Sequence, residues 1–401
     1  MMFSRPSTLL ASACLLAVCH AGVISRSGDV GLSSTNATLL ARVQLPNPVV
    51  PAQPKTTNLF TLGDDSSADW SCVSKESTFD SWLEEVAKLQ TAAATAFGTW
   101  QTDGGSRLLL TAWLGIKFDK SAGTVDSSST AAFSAVQGRL AGISQFLNGG
   151  GVASPLTNQP PWLLCGDSWG SLTPWNEPVK DHDGDFIPVG DNFLTVAQAF
   201  PAPYAASQST SPGLQTYWVD ILDAYLWDSL QLCQNTKRYA ATSKRPYTSP
   251  NPQVKATGFD RFPFFCDRAF SPTTQSPPSV LHSMSSLANA VSSGTYPAQP
   301  FPQKGLDQWV PLSGTLYHEL VHITDSAQTS GDPYYNLVAA SKASVNSDQA
   351  TRLSVTNNAE SYVFFAMAAY MYQNPPSGTP AVLWLSGGYP LIATDAIAKY
   401  T

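Results

Sequence analysis

The chain is organised around one short stretch, Leu316-Tyr317-His318-Glu319-Leu320-Val321-His322. In an α-helix, residues four apart lie on the same face, so His318 and His322 would project side by side. The two leucines of the stretch, together with Ile323, fall on a separate apolar stripe that can pack against a core. The spacing therefore predicts a buried helix that presents two imidazoles in one direction.

Two imidazoles one helical turn apart can bind one metal ion, and Glu319 beside them can act as general base for a metal-bound water. The alternative is a pair of surface histidines on an ordinary amphipathic helix. The chain has five histidines, and two of them have ligand spacing inside an apolar helical setting that begins near Ser313. We therefore predict a Zn²⁺ site at His318 and His322.

Length and composition limit the fold and the partners. With 401 residues and 43% hydrophobic content, the chain can bury a large core as one large domain or two. Only 13% of the residues are charged, the net charge is −7, and lysine and arginine are not clustered. Nucleic acid is therefore not an expected partner.

The N-terminal residues have the pattern of a secretory signal. Arg5 precedes an apolar run over residues 9–18, and small residues around Ala21 suit a signal peptidase. We expect residues 1–21 to be a signal peptide and the protein to be secreted to the extracellular space. Later apolar runs are too short to span a membrane, so no membrane association is expected.

The cysteines fit an oxidising compartment. Removing residues 1–21 leaves Cys72, Cys165, Cys233 and Cys266, which predicts two disulfides with three possible pairings. A four-cysteine zinc site is the alternative, but the sequence has no Cys-x-x-Cys pair to support it.

Residues 22–66 are rich in serine, threonine and proline and predict a flexible arm or a propeptide; residues 67–401 form the expected domain. Hydrophobic periodicity predicts its secondary structure. The expected helices cover residues 77–98, 129–147, 278–293, 312–324 and 357–372. The expected strands cover residues 108–118, 162–165 and 262–267, and residues 216–232 fit either a helix or a long strand.

Catalytic zinc sites usually have three protein ligands, and two carboxylates compete for the third position. Asp332 lies ten residues after His322, but Asp followed by proline is also a favoured helix N-cap. Glu360 begins a very apolar helix, where a buried carboxylate needs a metal or a hydrogen-bonded partner. It also forms a possible capping box with Asn357. The residues alone leave both carboxylates open as the third ligand.

Three segments in this order resemble those of fungal deuterolysin-like metallopeptidases, the aspzincins, which include the peptidyl-lysine metalloendopeptidases. They are His318-Glu319-Leu320-Val321-His322, Gly331-Asp332-Pro333-Tyr334-Tyr335 and Asn358-Ala359-Glu360-Ser361-Tyr362. The resemblance is good over residues 255–372 and weak in the N-terminal half. It implies an α+β fold: a zincin-like metallopeptidase domain with a small mixed sheet, an active-site helix and a mainly helical C-terminal part.

The resemblance also implies roles for individual residues. His318, His322 and Asp332 would be the zinc ligands, Glu319 the general base, and Tyr335 a stabiliser of the oxyanion. Gly331-Asp332 replaces the family's Gly-Thr-x-Asp, so Tyr334 is an alternative to Tyr335. Glu360 stands where the family usually has aspartate and is the alternative metal ligand. We favour Asp332 as the ligand, with Glu360 then orienting a histidine.

These observations together predict a secreted, monomeric zinc metalloendopeptidase acting on protein or peptide substrates. The strand that ends near Cys266 would align an extended substrate by edge pairing. The alternative is a secreted non-catalytic zinc-binding or surface-antigen protein on a zincin scaffold. A third hypothesis, a glycan-binding or glycan-cleaving protein, is suggested only by the eleven tryptophans.

Overall fold

Two long helices, Glu76–Thr99 and Ala359–Gln373, form the centre of the domain in the computed structural model of the chain. The structure describes residues 54–62, 71–119, 121–152, 159–181, 183–209, 213–229, 232–234, 238–243, 249–254, 261–270, 284–302, 304–325, 329–385 and 389–401. All of them belong to one compact unit, Gln44–Thr401.

Helices and short strands alternate along the described residues. The α-helices are α1 Thr56–Leu59, α2 Glu76–Thr99, α3 Gly104–Leu114, α4 Thr130–Leu147, α5 Val196–Ala199, α6 Pro201–Ser209, α7 Leu287–Ala290, α8 Gly314–Thr324, α9 Leu337–Ser344, α10 Gln349–Ser354, α11 Ala359–Gln373 and α12 Ala393–Tyr400. The strands are β1 Phe118–Asp119, β2 Thr124–Val125, β3 Leu164–Cys165, β4 Ser171–Leu172, β5 Pro188–Val189, β6 Asn192–Phe193, β7 Gln215–Val219, β8 Ala224–Asp228, β9 Ala240–Thr242, β10 Pro263–Phe265, β11 Val382–Trp384 and β12 Pro390–Ile392.

The helical core is formed by α2, α3, α4, α8 and α11. Helix α11 is apolar on all faces and packs against α2, α3 and α8, as expected of a helix at the centre of a core. Helix α8 packs in turn against α4 and α11. The helices predicted at residues 77–98, 129–147, 312–324 and 357–372 are confirmed within two residues at each end.

The sheets are small, and the fold class is α+β. The sheet next to the helical core has the order β3-β10-β9, with β10 parallel to β3 and antiparallel to β9. The predicted strands at 162–165 and 262–267 are confirmed by β3 and β10. The helix or long strand expected over residues 216–232 is not formed in the part that the structure describes, because a turn at Asp223 (φ 46°) folds residues 215–228 into the β7–β8 hairpin.

The strand expected over residues 108–118 was wrong, since most of that segment is helix α3. Asp103 caps the helix by accepting hydrogen bonds from the backbone of Gly105 and Ser106. Gly115 ends it in the left-handed conformation, at φ +65°. These two caps override the strand preference of the apolar run. Of the helix expected over 278–293, only the turn Leu287–Ala290 is helical among the residues described.

The two predicted disulfides are confirmed, with the pairings Cys72–Cys165 and Cys233–Cys266. The first joins the segment before α2 to β3, and the second joins the end of β10 to a turn at residues 232–234. The four-cysteine zinc site is therefore excluded.

Part of the expected flexible arm belongs to the folded domain. Leu59 and Phe60 are buried, and Phe60 packs edge-on against Phe146 of α4. Asp80 of α2 accepts hydrogen bonds from the backbone and hydroxyl groups of Thr56. Residues 54–62 therefore fold against the domain, although they could not fold alone. The expected signal peptide, residues 1–21, and arm residues 22–53 and 63–66 lie outside the described residues. Within the described chain, no helix combines the length and apolarity that a membrane span requires.

Candidate metal centre

Helix α8 places the two histidines as its sequence predicts. Every residue of α8 is buried, and the Nε2 atoms of His318 and His322 lie 3.2 Å apart. Both rings therefore point their outer nitrogens at one spot. Exposed histidines on an ordinary amphipathic helix are excluded by this burial.

Asp332 brings a carboxylate to the same spot. Its Oδ1 atom lies 3.0 Å from Nε2 of His318 and 3.2 Å from Nε2 of His322. The expected alternative, in which Asp332 caps the following helix, does not apply. Asn336 is the N-cap of α9, where its side chain accepts a hydrogen bond from Ala339 at 2.8 Å.

The three atoms fit the requirements of a metal ion. A tetrahedral site with Zn–N bonds of about 2.0 Å separates its ligand atoms by about 3.3 Å, close to the distances given above. Oδ1 of Asp332 is buried and has no hydrogen-bond partner of acceptable geometry among the described residues. Two nitrogen lone pairs and a carboxylate oxygen at this separation repel one another unless a proton or a metal ion lies between them. His318, His322 and Asp332 can therefore hold a metal ion.

Glu360 lies behind His318, on the side of the ring away from Asp332. Its Oε2 atom is 2.9 Å from Nδ1 of His318, and the residue is only 1% exposed. The capping box with Asn357 is not formed, because the N-cap of α11 is Asn358 and it makes no side-chain cap. A carboxylate on Nδ1 holds that nitrogen protonated and leaves the Nε2 lone pair for a cation. Glu360 thus orients His318 in this geometry.

Electrostatics in the metal-free site favour a positive charge. Burial lowers the pKa of His318, but the Asp332 carboxylate, followed by Glu360, outweighs burial and holds this pKa well above its ordinary value. Burial raises the pKa of Asp332, but His318 and then His322 outweigh it and hold this pKa far below its usual range. The site therefore attracts a cation, which can be a proton or a metal ion.

Glu319 is next to the histidines in sequence and faces strand β9. Its Oε2 atom accepts a hydrogen bond of 2.6 Å from Oγ1 of Thr242, the last residue of that strand. No motif or spacing in the sequence marks Thr242 as part of the site. Its contact fixes the rotamer of Glu319 and joins α8 to an outer strand of the sheet.

The two tyrosines have different environments. The hydroxyl of Tyr335 donates a hydrogen bond to Oδ2 of Asp332 at 3.1 Å, and the residue is 56% exposed. The hydroxyl of Tyr334 lies 2.9 Å from Oγ of Ser354, away from the histidines. Tyr335, and not Tyr334, is the tyrosine that the structure brings to the centre.

Asn358 holds the loop that carries these residues. Its buried amide accepts a hydrogen bond from the backbone N–H of Tyr334 at 3.2 Å and donates one to the carbonyl of the same residue at 3.1 Å. Sequence reasoning had assigned Asn358 no role of its own. A pair of hydrogen bonds to one peptide backbone fixes the path of the loop just after Asp332.

Comparison with known proteins gives little further information. No protein-family model matches the chain, and no solved structure matches it. The chain is 28% identical over 153 residues to a non-secreted LysM effector, LysM17, of Penicillium expansum. The match covers 33% of this chain and 19% of that protein's length. At this identity and coverage, the similarity does not assign the chain to a family.

Proposed function

We propose that the chain is a secreted zinc metalloendopeptidase with a zincin-like domain. One observation carries the proposal. The side chains of His318, His322 and Asp332 converge on one point, while the carboxylate of Glu319, from the same helix, is held beside them by Thr242. A site that only bound a metal would have no use for that fourth group.

The donor set favours zinc. Two imidazole nitrogens and one carboxylate oxygen, with a further position open, are typical of catalytic zinc in proteins. When bound, the ion supplies Lewis-acid chemistry and lowers the pKa of a water molecule. Glu360 supports this choice, since a carboxylate behind a histidine increases the basicity of the ligand.

The chain's own residues account for the proton transfers. Glu319 accepts a proton from a water molecule as the water oxygen attacks the peptide carbonyl carbon. It then passes that proton to the nitrogen of the leaving amine as the C–N bond breaks. The hydroxyl of Tyr335, turning from Asp332 toward the substrate, donates a hydrogen bond to the oxyanion. The net reaction adds one water to one peptide bond.

The sheet supports a path for an extended substrate, but along a different strand from the one expected. Strand β10, which ends beside Cys266, is paired on both sides and has no edge to offer. Strand β9 is one of the two outer strands of this sheet within the described residues, and its Thr242 touches Glu319. A peptide that added to β9 would place its backbone over the candidate catalytic carboxylate.

Export from the cell is part of the same proposal. Two disulfides are typical of proteins that fold in an oxidising compartment. Together with the signal expected over residues 1–21, they support action outside the cell.

The Glu319→Gln variant tests the proposal against the non-catalytic alternative. Glutamine keeps the volume and can still accept the hydrogen bond of Thr242, so the fold and the bound zinc should persist. Casein hydrolysis should fall by at least about a hundredfold, because proton transfer by a positioned group typically contributes 10²- to 10⁴-fold.

Glu84→Gln, on the exposed side of α2, is the matched control and should keep full activity. A chelator should abolish wild-type hydrolysis, and added zinc should restore it. If wild-type protein with stoichiometric zinc leaves casein intact, the non-catalytic alternative is correct. If Glu319→Gln cleaves at the wild-type rate, the role of Glu319 is wrong.

A further inference from the structure

A buried ion pair contacts the segments that lead to Asp332 and Glu360. Arg139 comes from α4 and Asp325 directly follows α8; they are only 6% and 5% exposed. Nη2 of Arg139 lies 3.5 Å from Oδ2 of Asp325. Among the contacts of the described residues, neither residue touches the histidines or Asp332, and no motif in the sequence marks either residue.

Asp325 fixes the start of the loop that leads to Asp332. Its Oδ2 atom accepts hydrogen bonds from the backbone N–H groups of Thr329 at 2.7 Å and Ser330 at 2.6 Å. The hydroxyl of Ser330 lies 3.3 Å from Nδ1 of His322. The carboxylate thus ties the end of the metal-binding helix to the residues just before Asp332.

Arg139 joins this loop to the segment that leads to Glu360. Its guanidinium donates to Oγ1 of Thr329 at 2.7 Å and to Oδ1 of Asn357 at 2.9 Å. It also donates to the carbonyl of Thr356. One planar group therefore holds both the loop before Asp332 and the turn before α11.

These two segments are themselves paired. Gly331 and Asn358 form a parallel bridge, in which Gly331 donates to the carbonyl of Asn357 at 2.7 Å and accepts from the N–H of Ala359 at 3.2 Å. Asp332 and Glu360 follow directly from this bridge. The separation of the two carboxylates depends on the bridge, and so does the position of His318 between them.

We propose that the Arg139–Asp325 pair is a positioning device, which holds Asp332 and Glu360 in place around His318 before a metal ion binds. A ligand that is already in place loses little conformational freedom on binding, so the affinity for the ion is higher. This inference rests on the proposed metal centre and assigns that centre two residues that touch neither the ion nor the substrate.

Arg139→Lys is the sharpest test. Lysine keeps the positive charge beside Asp325. It replaces the planar guanidinium, whose N–H groups point in several directions, with one compact ammonium group, so it cannot bind Thr329 and Asn357 at the same time. The double variant Arg139→Met with Asp325→Asn removes both charges of the pair. Both variants keep every candidate ligand.

Arg352→Lys is the matched control. Arg352 is 3% exposed and donates to the carbonyl of Gly115 at 3.1 Å and to Oγ of Ser128 at 3.4 Å. Neither partner belongs to the loop before Asp332 or to the bridge. The control therefore loses buried arginine contacts without loosening the centre.

The measurement is Co²⁺ binding to the metal-free protein, followed by the visible absorption of the tetrahedral ion. We expect the dissociation constant to rise about 10- to 100-fold in Arg139→Lys and in the double variant, as for other groups that support metal ligands. The absorption band should also shift or weaken. Arg352→Lys should keep wild-type affinity and spectrum even where its melting temperature falls.

Wild-type affinity in a folded Arg139→Lys protein would overturn this inference and leave the metal centre standing. Absence of Co²⁺ binding by the wild-type protein would overturn both. If Arg139→Lys fails to fold, Thr329→Val decides. Thr329 is exposed, and the variant loses only the hydroxyl that accepts from Arg139 and donates to Asp325 at 3.3 Å. We expect a roughly two- to tenfold loss of affinity there, and unchanged affinity would count against the proposal.

Discussion

Replacing Glu360 with glutamine tests which of the two carboxylates near His318 is the metal ligand and which one orients the ring. Oε2 of Glu360 lies 2.9 Å from Nδ1 of His318, whereas Oδ1 of Asp332 lies 3.0 Å from Nε2 of the same ring. Glutamine keeps the size of the side chain and a hydrogen-bond acceptor but removes the charge. The substitution should therefore weaken metal binding without removing a ligand.

The magnitude follows from the distance between charges. The ring and a Zn–N bond of about 2.1 Å would place the Glu360 carboxylate about 7 Å from a bound ion. With Asp332 as a ligand, the zinc centre has a net charge of +1. At an effective dielectric constant of about 20, this attraction is about 2.4 kcal/mol, or roughly a fiftyfold change in affinity. Mutations of groups that support metal ligands typically weaken metal affinity 10- to 100-fold, and the value worked out here lies in that range.

The assay is competition for zinc with a chromophoric chelator, at one fixed pH for all variants. Glu360→Gln should bind roughly fiftyfold more weakly than wild type, and Asp332→Asn should bind more weakly still, because it loses a ligand. Glu85→Gln is the matched control, since Glu85 also accepts one short hydrogen bond, from Leu287 at 2.8 Å. The reverse order, with Glu360→Gln the weaker binder, would make Glu360 the metal ligand and refute the geometry.

Four further predictions test the electrostatics and the fold. The raised pKa of His318 stabilises the metal-free protein below the unfolded pKa of about 6.5, and this stabilisation is lost as the pH rises through the raised value; thermal melts of chelated protein across pH measure it. Metal affinity should change in the opposite direction and fall as the pH drops, because protons compete for the same nitrogens; calorimetry in two buffers should detect the released protons. Replacing Cys72 and Cys165 with serine should lower the free energy of unfolding by roughly 2–5 kcal/mol, seen in urea titrations. Gly115→Ala should destabilise by at least about 1 kcal/mol, because φ is +65° and the new Cβ would lie 2.5 Å from the carbonyl oxygen of Arg352.

The part of the site that lies on one element could be predicted from the sequence. His318, Glu319 and His322 share helix α8, and helical geometry alone fixes how they face. No tertiary contact is needed to bring the two rings together. For the same reason, helices α2, α4 and α11 could be predicted from their apolar periodicity.

The error at α3 shows how local signals compete. The apolar run from Leu108 favours a strand when it is considered alone. Asp103 before it and Gly115 after it are cap residues at the right spacing for a helix, and they were visible in the sequence. When the two cap residues are considered together with the apolar run, they predict helix α3.

The third ligand could not be settled from the sequence, because Asp332 and Glu360 each had a convincing local explanation as a helix cap. What separates them is a tertiary contact, the bridge between Gly331 and Asn358. No periodicity in the chain reports a pairing of two isolated residues. Arg139, which contacts the loop before Asp332, is 190 residues from Thr329 in the sequence, so its part in the site was equally hidden.

The bridge also explains why both carboxylates can serve one histidine. Asp332 comes one residue after Gly331, and Glu360 comes two residues after Asn358, so the pairing register places one carboxylate on each side of the His318 ring. A shift of one residue in that register would turn the side chain that follows Gly331 to the opposite side and remove Asp332 from the imidazoles. The chemistry proposed for α8 therefore depends on two backbone hydrogen bonds outside it. The buried Arg139–Asp325 pair contacts the residues that precede this bridge in both segments.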